Sequence, residues 1–414
     1  YTIERYFLGV KRRSVISLLG AVVSSGCLSG AGRESNDIGV ENLTDCEAGE
    51  AWSPFQGGPR HRGRTTTTVG SPPTVSVTAS EAFPSGRTGF VVCDEKHVFV
   101  AWENTDVVHR YHTETGVIDA LSLGDRIRVY PELHCSTLVA RTTSSTNWID
   151  TEAWTQIEQH SSAGPFASPL VVGGRLYLAR APGIRAYTPA DGELWSHTLD
   201  RVVTGVAGTA DTVYVVSSNA DGGRLVALDA ESGAVRWETD RLGETYTDPV
   251  VGTNLYVSNA AGELFALDRT TGALEWTARA ASRSGLAPMA VDGDELFVLD
   301  TAPAVVRGLR AADGQTRWET RVRGSSNRDT SSRDTSNRDT SSRDTPSRGS
   351  PSDDESPSSR GSPTLFPPVV TPQRVVLGGG GGLRAFSRSD GTRAWAETGH
   401  VVTSPMGVTD DRLY

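Results

Sequence analysis

Lysine is almost absent from this chain: Lys11 and Lys96 are the only two in 414 residues, and arginine supplies the rest of the 40 basic side chains. The 50 acidic residues outnumber them, giving a formal net charge of −10. Such a surface repels nucleic-acid phosphates rather than gathering them, which excludes a nucleic-acid partner. An acid-rich, lysine-poor surface suits a high-salt, halophilic habitat, where screening removes the self-repulsion. Cysteine is sparse too. Cys27, Cys46, Cys93 and Cys135 are never adjacent, and no Cys-x-x-Cys-His follows, which excludes an attached haem. No Gly-x-Ser-x-Gly elbow occurs. No long stretch carries a 3.6-residue apolar period, so helix content is low. What is abundant is glycine, at 44, together with short runs of Val and Thr bounded by turn residues. That pattern predicts an all-β chain.

The first residues read as an address. Lys11-Arg12-Arg13 precedes an apolar run from Val15 to Val23 and then Ser24-Ser25-Gly26-Cys27. The run is too short to span a bilayer, so 1–27 is an export signal. Arg12 and Arg13, followed after a spacer by Val15-Ile16, resemble a twin-arginine signal. Gly26-Cys27 resembles the end of a lipobox, with Cys27 as the acylated residue, although Ser24 stands where that pattern has an aliphatic side chain. A soluble secreted protein with a nearby cleavage site is the alternative. Residues 28–70 read as a flexible tether and entry segment.

The main signal is a repeat. Gly192, Gly233, Gly272, Gly314 and Gly391 each precede a tryptophan by three or four positions: Trp195, Trp237, Trp276, Trp318 and Trp395. The tryptophans lie 42, 39, 42 and 77 residues apart, and removing a 40-residue insertion (324–363) from the last interval leaves 37. A period near 40 predicts four-stranded propeller blades across 71–414. The glycines are expected at tight turns that need positive φ. The indoles are expected to fill the seams between blades, since a single twisted sheet cannot bury both its faces. Phe90–Val100 with Thr113–Gly116 forms a weaker unit, and Leu133–Trp154 a second. Thr403–Tyr414 starts an eighth, and Thr74–Thr78 reads as a strand able to close the ring. Eight blades with an incomplete last one is the expectation, and seven the alternative. The insertion, built of Arg-Asp-Thr-Ser pentads with six Arg against seven acids, reads as a disordered loop within the propeller.

Ala227-Leu-Asp229 through Gly233 to Trp237, and Ala266-Leu-Asp268 through Gly272 to Trp276, resemble the tryptophan-docking repeat of pyrroloquinoline quinone (PQQ) proteins. Trp52-Ser-Pro-Phe-Gln-Gly-Gly resembles the opening segment of lipoproteins with these repeats, the BamB-like family. The resemblance covers roughly 50–414 apart from the insertion. It implies a propeller, and by analogy a role as a scaffold in outer-membrane protein assembly. The quinone-dependent dehydrogenases of this fold carry features absent here: adjacent cysteines under the cofactor, and acidic residues that can be placed around calcium.

Other candidate chemistry gives way to structural readings. His109 and His112 are three apart on a strand and so face opposite ways, which argues against a shared metal. Gly378–Gly382 aligns with a hairpin rather than a phosphate loop, and no Gly-Lys-Ser/Thr follows. Cys93 and Cys135 occupy similar places in successive units and could pair, with Cys46 a competitor. The reading reached is a non-catalytic, monomeric, surface-anchored propeller that binds or scaffolds a protein or polymer. It carries no catalytic, cofactor or metal residues, and it meets the membrane through its lipid only. A PQQ- and calcium-dependent alcohol or sugar dehydrogenase and a carbohydrate or cell-wall binding module are the rivals.

Overall fold

The computed structural model describes residues 89–398 and Met406, apart from 95, 135, 162–166, 181, 189–191, 282–286, 302–303, 323–364 and 380. Every regular element among them is a strand, and the strands form seven four-stranded antiparallel sheets. Each sheet uses four consecutive strands. They span 89–122, 132–161, 170–198, 202–239, 250–279, 289–321 and 369–397, here blades I to VII.

The apolar core is divided in the same way. Seven clusters of buried side chains occur, one for each junction between neighbouring blades. Burial therefore depends on neighbours: the branched residues on both faces of a blade are covered only when the next sheet is in place. Tyr177, Tyr256, Phe99, Phe297 and Phe386 are among the largest side chains wholly removed from water.

Seven blades, not eight, close the ring. Val369, Val376, Ala385 and Trp395 of blade VII share one cluster with Cys93, Val98, Val100 and Tyr111 of blade I. With those two sheets in direct contact, no further blade can stand between them. The strand–turn pattern at 403–414 suggested an eighth unit because it repeats the opening of a blade. Apart from Met406, those residues lie outside the described set, and Met406 is buried in the closing cluster. Residues 74–78 also lie outside it, as does the insertion 324–363, which joins the outer strand of blade VI to the first strand of blade VII. The glycine-rich stretch forms the hairpin of blade VII, with Gly379 opposite Gly382.

Candidate functional site

The repeat builds one joint four times. In the seam between blades IV and V, Trp237 lies on the outer strand Val235–Thr239, opposite Ala227, and a bulge follows between Ala227 and Leu228. The small Ala leaves room for the indole beside it. The ring packs among Tyr214, Val216 and Leu225 of its own blade and Leu255, Phe265 and Leu267 of the next. Its Nε1–H donates to the carbonyl of Arg269 at 3.1 Å, and the Tyr214 hydroxyl donates to the same oxygen at 3.1 Å. The receiving turn is held by Asp268, whose Oδ1 accepts from the backbone N–H groups of Thr270 and Thr271 and from both their hydroxyls. Those donors, led by the Thr270 hydroxyl, pull the Asp268 carboxyl down to about 2. Gly272 ends the turn at φ 72°, and a Cβ there would lie 2.5 Å from the Trp237 ring. Glycine is thus required twice, by the backbone and by the neighbouring blade.

Trp195 on the Ala230 carbonyl (3.2 Å), Trp276 on that of Ala311 (3.1 Å) and Trp318 on that of Arg388 (2.9 Å) repeat the joint. They cover Gly233, Gly314 and Gly391, whose φ values are 70–71°. Trp395 is buried in the closing seam, but its Nε1–H has no hydrogen-bond partner among the described residues, and Gly116 has no atom within 4 Å of where a Cβ would stand.

Blades I and II depart from this pattern in a way the sequence did not reveal. At the Ala227 position blade I has Arg110, paired with Asp119, and blade II has Trp148, paired with Glu158. The bulk has moved from the outer strand to the third. In the turn of blade II, Trp154 takes the place of the docking glycine and holds φ 54°. Its ring stacks on Phe99 of blade I at 5.8 Å and lies 4.9 Å beneath the Arg110 guanidinium. Arg110 donates to the carbonyls of Thr151 and Glu152 at 2.6 and 2.9 Å, and also to Asp119 at 2.6 Å. Blade I therefore sends a cation to the turn carbonyls, and blade II sends the aromatic ring back. The joint is reversed. A search for Gly-x₃-Trp cannot find it, whereas Trp154 six residues after Trp148 was a visible sign.

The seam between blades II and III keeps a gap. A cleft of about 270 Å³ there is lined by Trp148, His160, Leu178, Tyr187, Gly192 and Glu193, with Arg180 completing it. Gly192 has the docking conformation, φ 72°, yet nothing lies within 4 Å of its would-be Cβ. The outer-strand position that elsewhere supplies Trp is Glu158, which turns to the His160 ring at 2.5 Å. Trp148, one strand further in, packs edge-on against His160 with ring centres 5.0 Å apart.

Titratable groups elsewhere serve the fold. Burial lowers the pKa of His109 and pushes Tyr177 and Tyr256 up to about 12, while their hydroxyls donate to the carbonyls of Ala230 and Ala311. His112 stacks edge-on with His97, not with His109. Among the described residues no group of three or more His, Cys, Asp or Glu converges on a point that could hold a metal ion. Cys93 is buried; Cys27, Cys46, Cys135, Arg12 and Arg13 lie outside the described residues.

Seven four-stranded blades, four of whose seams are locked by Gly–Trp joints, define a PQQ-like β-propeller. The family described as outer membrane protein assembly factor BamB matches residues 180–349, and the chain is similar to that BamB-like family. BamB of Moranella endobia is 27% identical over 189 residues, 40% of this chain and 47% of the relative. The chain thus spans about half of that relative's length. BamB from Moraxella catarrhalis superposes with a TM-score of 0.54 at 18% identity, over 78% of this chain and 89% of that one. The quinohemoprotein alcohol dehydrogenase of Comamonas testosteroni gives 0.60 at 12% identity, over 88% and 76%. At such identities the two structures share the fold alone.

Proposed function

We propose that this chain is a non-catalytic propeller that binds or scaffolds a protein partner on the extracytoplasmic face of a membrane. The observation that carries the reading is the similarity of its repeat region to outer membrane protein assembly factors. The Trp, Gly and turn Asp of its repeats are engaged in the joints between blades. In this reading Cys27 holds a lipid, Arg12 and Arg13 direct export, and neither PQQ nor calcium is bound.

Photo-crosslinkers placed at Val235 and Leu274, exposed apolar residues on the outer strands of blades IV and V, provide the test. One protein trapped in intact cells, and loss of membrane fractionation in Cys27→Ser, are the expected results. A bound chromophore and dye reduction after incubation with PQQ and calcium would favour the dehydrogenase and sink the proposal.

A further inference from the structure

The cleft between blades II and III offers rings and a cation but no free carboxylate. Glu193 accepts from Arg185 at 2.5 Å and from the Tyr187 hydroxyl at 3.5 Å, and Glu158 beside it holds the His160 ring at 2.5 Å. The guanidinium of Arg180 also lines the cleft, and it makes no hydrogen bond or ion pair among the described residues. A second guanidinium stands close by: Arg141 of blade II donates across the seam to the carbonyl of Ala179, the residue before Arg180, at 2.9 Å. Trp148 is 3% exposed, yet its Nε1–H, unlike those of the four docking tryptophans, donates to nothing among the described residues. A buried donor without a partner costs free energy that an incoming acceptor recovers. A group entering here meets positive charge and spare donors, which selects an anion.

The walls set the shape of that group. Trp148 and His160 meet edge-on with ring centres 5.0 Å apart, Tyr187 lies 6.4 Å from His160, and Leu178 adds an apolar side. Such walls favour another planar ring, stacked or edge-on. The volume of about 270 Å³ exceeds the ~150 Å³ that holds a benzene ring and falls short of the ~300–1,000 Å³ of pockets that enclose whole ligands. It suits one ring with one charged group beside it. His160 and Glu193 are exposed and lie on the outer strands of their blades, Thr155–Ser161 and Gly192–Thr198, so the cleft opens on the rim of the propeller. A macromolecule can reach it there, and a single buried aromatic anchor is the usual unit of protein recognition.

We propose that the cleft in seam II/III receives an anchor of the protein partner made of one aromatic side chain with a carboxylate next to it in sequence. The ring lies among Trp148, His160 and Tyr187, and the carboxylate meets Arg180. This rests on the reading of the partner as a protein.

Titration of the full 414-residue chain with the amidated peptide N-acetyl-Phe-Glu tests the cleft without any partner in hand. Saturable binding with a Kd of about 1 mM or tighter is expected, read by calorimetry and by the shift of the His160 ring resonances. Replacing Glu by Gln in the peptide, or Phe by Leu, should each weaken it about tenfold. Arg180→Gln should weaken the Phe-Glu peptide about as much and leave its Glu and Gln forms indistinguishable, because the charge has lost its partner. Absence of saturation overturns the proposal, as do equal affinities of the Glu and Gln peptides for the parent chain. Those two outcomes need no protein variant, so they decide even if Arg180→Gln does not fold. Tighter binding of free 3-phenylpropanoate than of the peptide also overturns it, by marking a pocket for a small acid. Failure to trap a protein from Val235 or Leu274 would instead remove the partner and leave the peptide result standing, so the two readings fail separately.

Discussion

Seams IV/V and I/II solve one packing problem with the bulk on opposite sides. In IV/V the ring comes from the earlier blade, the glycine from the later one, and a neutral indole N–H meets the turn carbonyl. In I/II the ring comes from the later blade, and a guanidinium held by Asp119 meets the turn carbonyls. What the fold demands is a filled seam and a satisfied turn; the residue that supplies each is negotiable between neighbours. The forward version puts glycine at the positive-φ position, whereas the reversed one holds a bulky residue there, which costs of order 1–3 kcal/mol.

The comparison can be broken most severely at the forward joint. Trp237→Ala and Trp276→Ala are each expected to cost about 3–5 kcal/mol in equilibrium denaturation, as large aromatic truncations in cores do. They lie in separate clusters, so their sum should approach the double variant. Losses below about 1 kcal/mol at both would remove the forward joint as a stability element. At the reversed joint, Trp154→Gly discards the stacking but also releases the strained dihedral. The net loss should be about 1–2 kcal/mol, clearly less than at Trp237. If it equals the Trp237 loss, the two joints are equivalent and the contrast fails.

Acid sharpens the comparison at the turns. The folded Asp268 carboxyl lies at about 2, below its ordinary value near 3.9, so its stabilisation is fully present above that ordinary value. It is lost as pH falls from about 4 towards 2. Asp268→Asn should flatten the fall in unfolding midpoint across that window; an unchanged slope would show that the turn is indifferent to the charge. The smallest effect is expected from deleting 324–363 and joining Arg323 to Thr364. The insertion lies between the outer strand of blade VI and the first strand of blade VII, its composition reads as a loop, and loop length costs little entropy. A midpoint within a few degrees of the parent is the expected result, and a large drop would show that the segment packs on a seam.

Much of this architecture was legible before any coordinate. Blades III to VII announce themselves because their joints put Gly and Trp at a fixed spacing on contiguous sequence. Blades I and II were visible as units, but their joints were not. Arg110 with Asp119 and Trp148 with Glu158 meet across strands, and a cross-strand pair leaves no signature at short separation. The sequence favoured eight blades over the seven it kept as the alternative for a related reason. Whether a last hairpin opens a new blade depends on whether blades VII and I already touch, which is the contact between residues farthest apart in the described chain. The cleft beside Gly192 was illegible in principle from local pattern, since the glycine looks the same with or without its partner.

The sense of the joints carries one more consequence. Viewed as a ring of arrows, each forward joint points from one blade to the next, and seam I/II contains the arrow that points back. A one-way ring has a donor for every acceptor. A single reversed arrow breaks that balance, because blade II sends Trp154 to blade I and keeps Trp148 on its third strand, where it meets blade III without covering Gly192. The uncovered Gly192 is then the remainder of Trp154, and with the uncovered Gly116 of the closing seam it is one of two interruptions in the array. Restoring glycine at position 154 would not fill it, because the position that faces Gly192 is 158, on the outer strand.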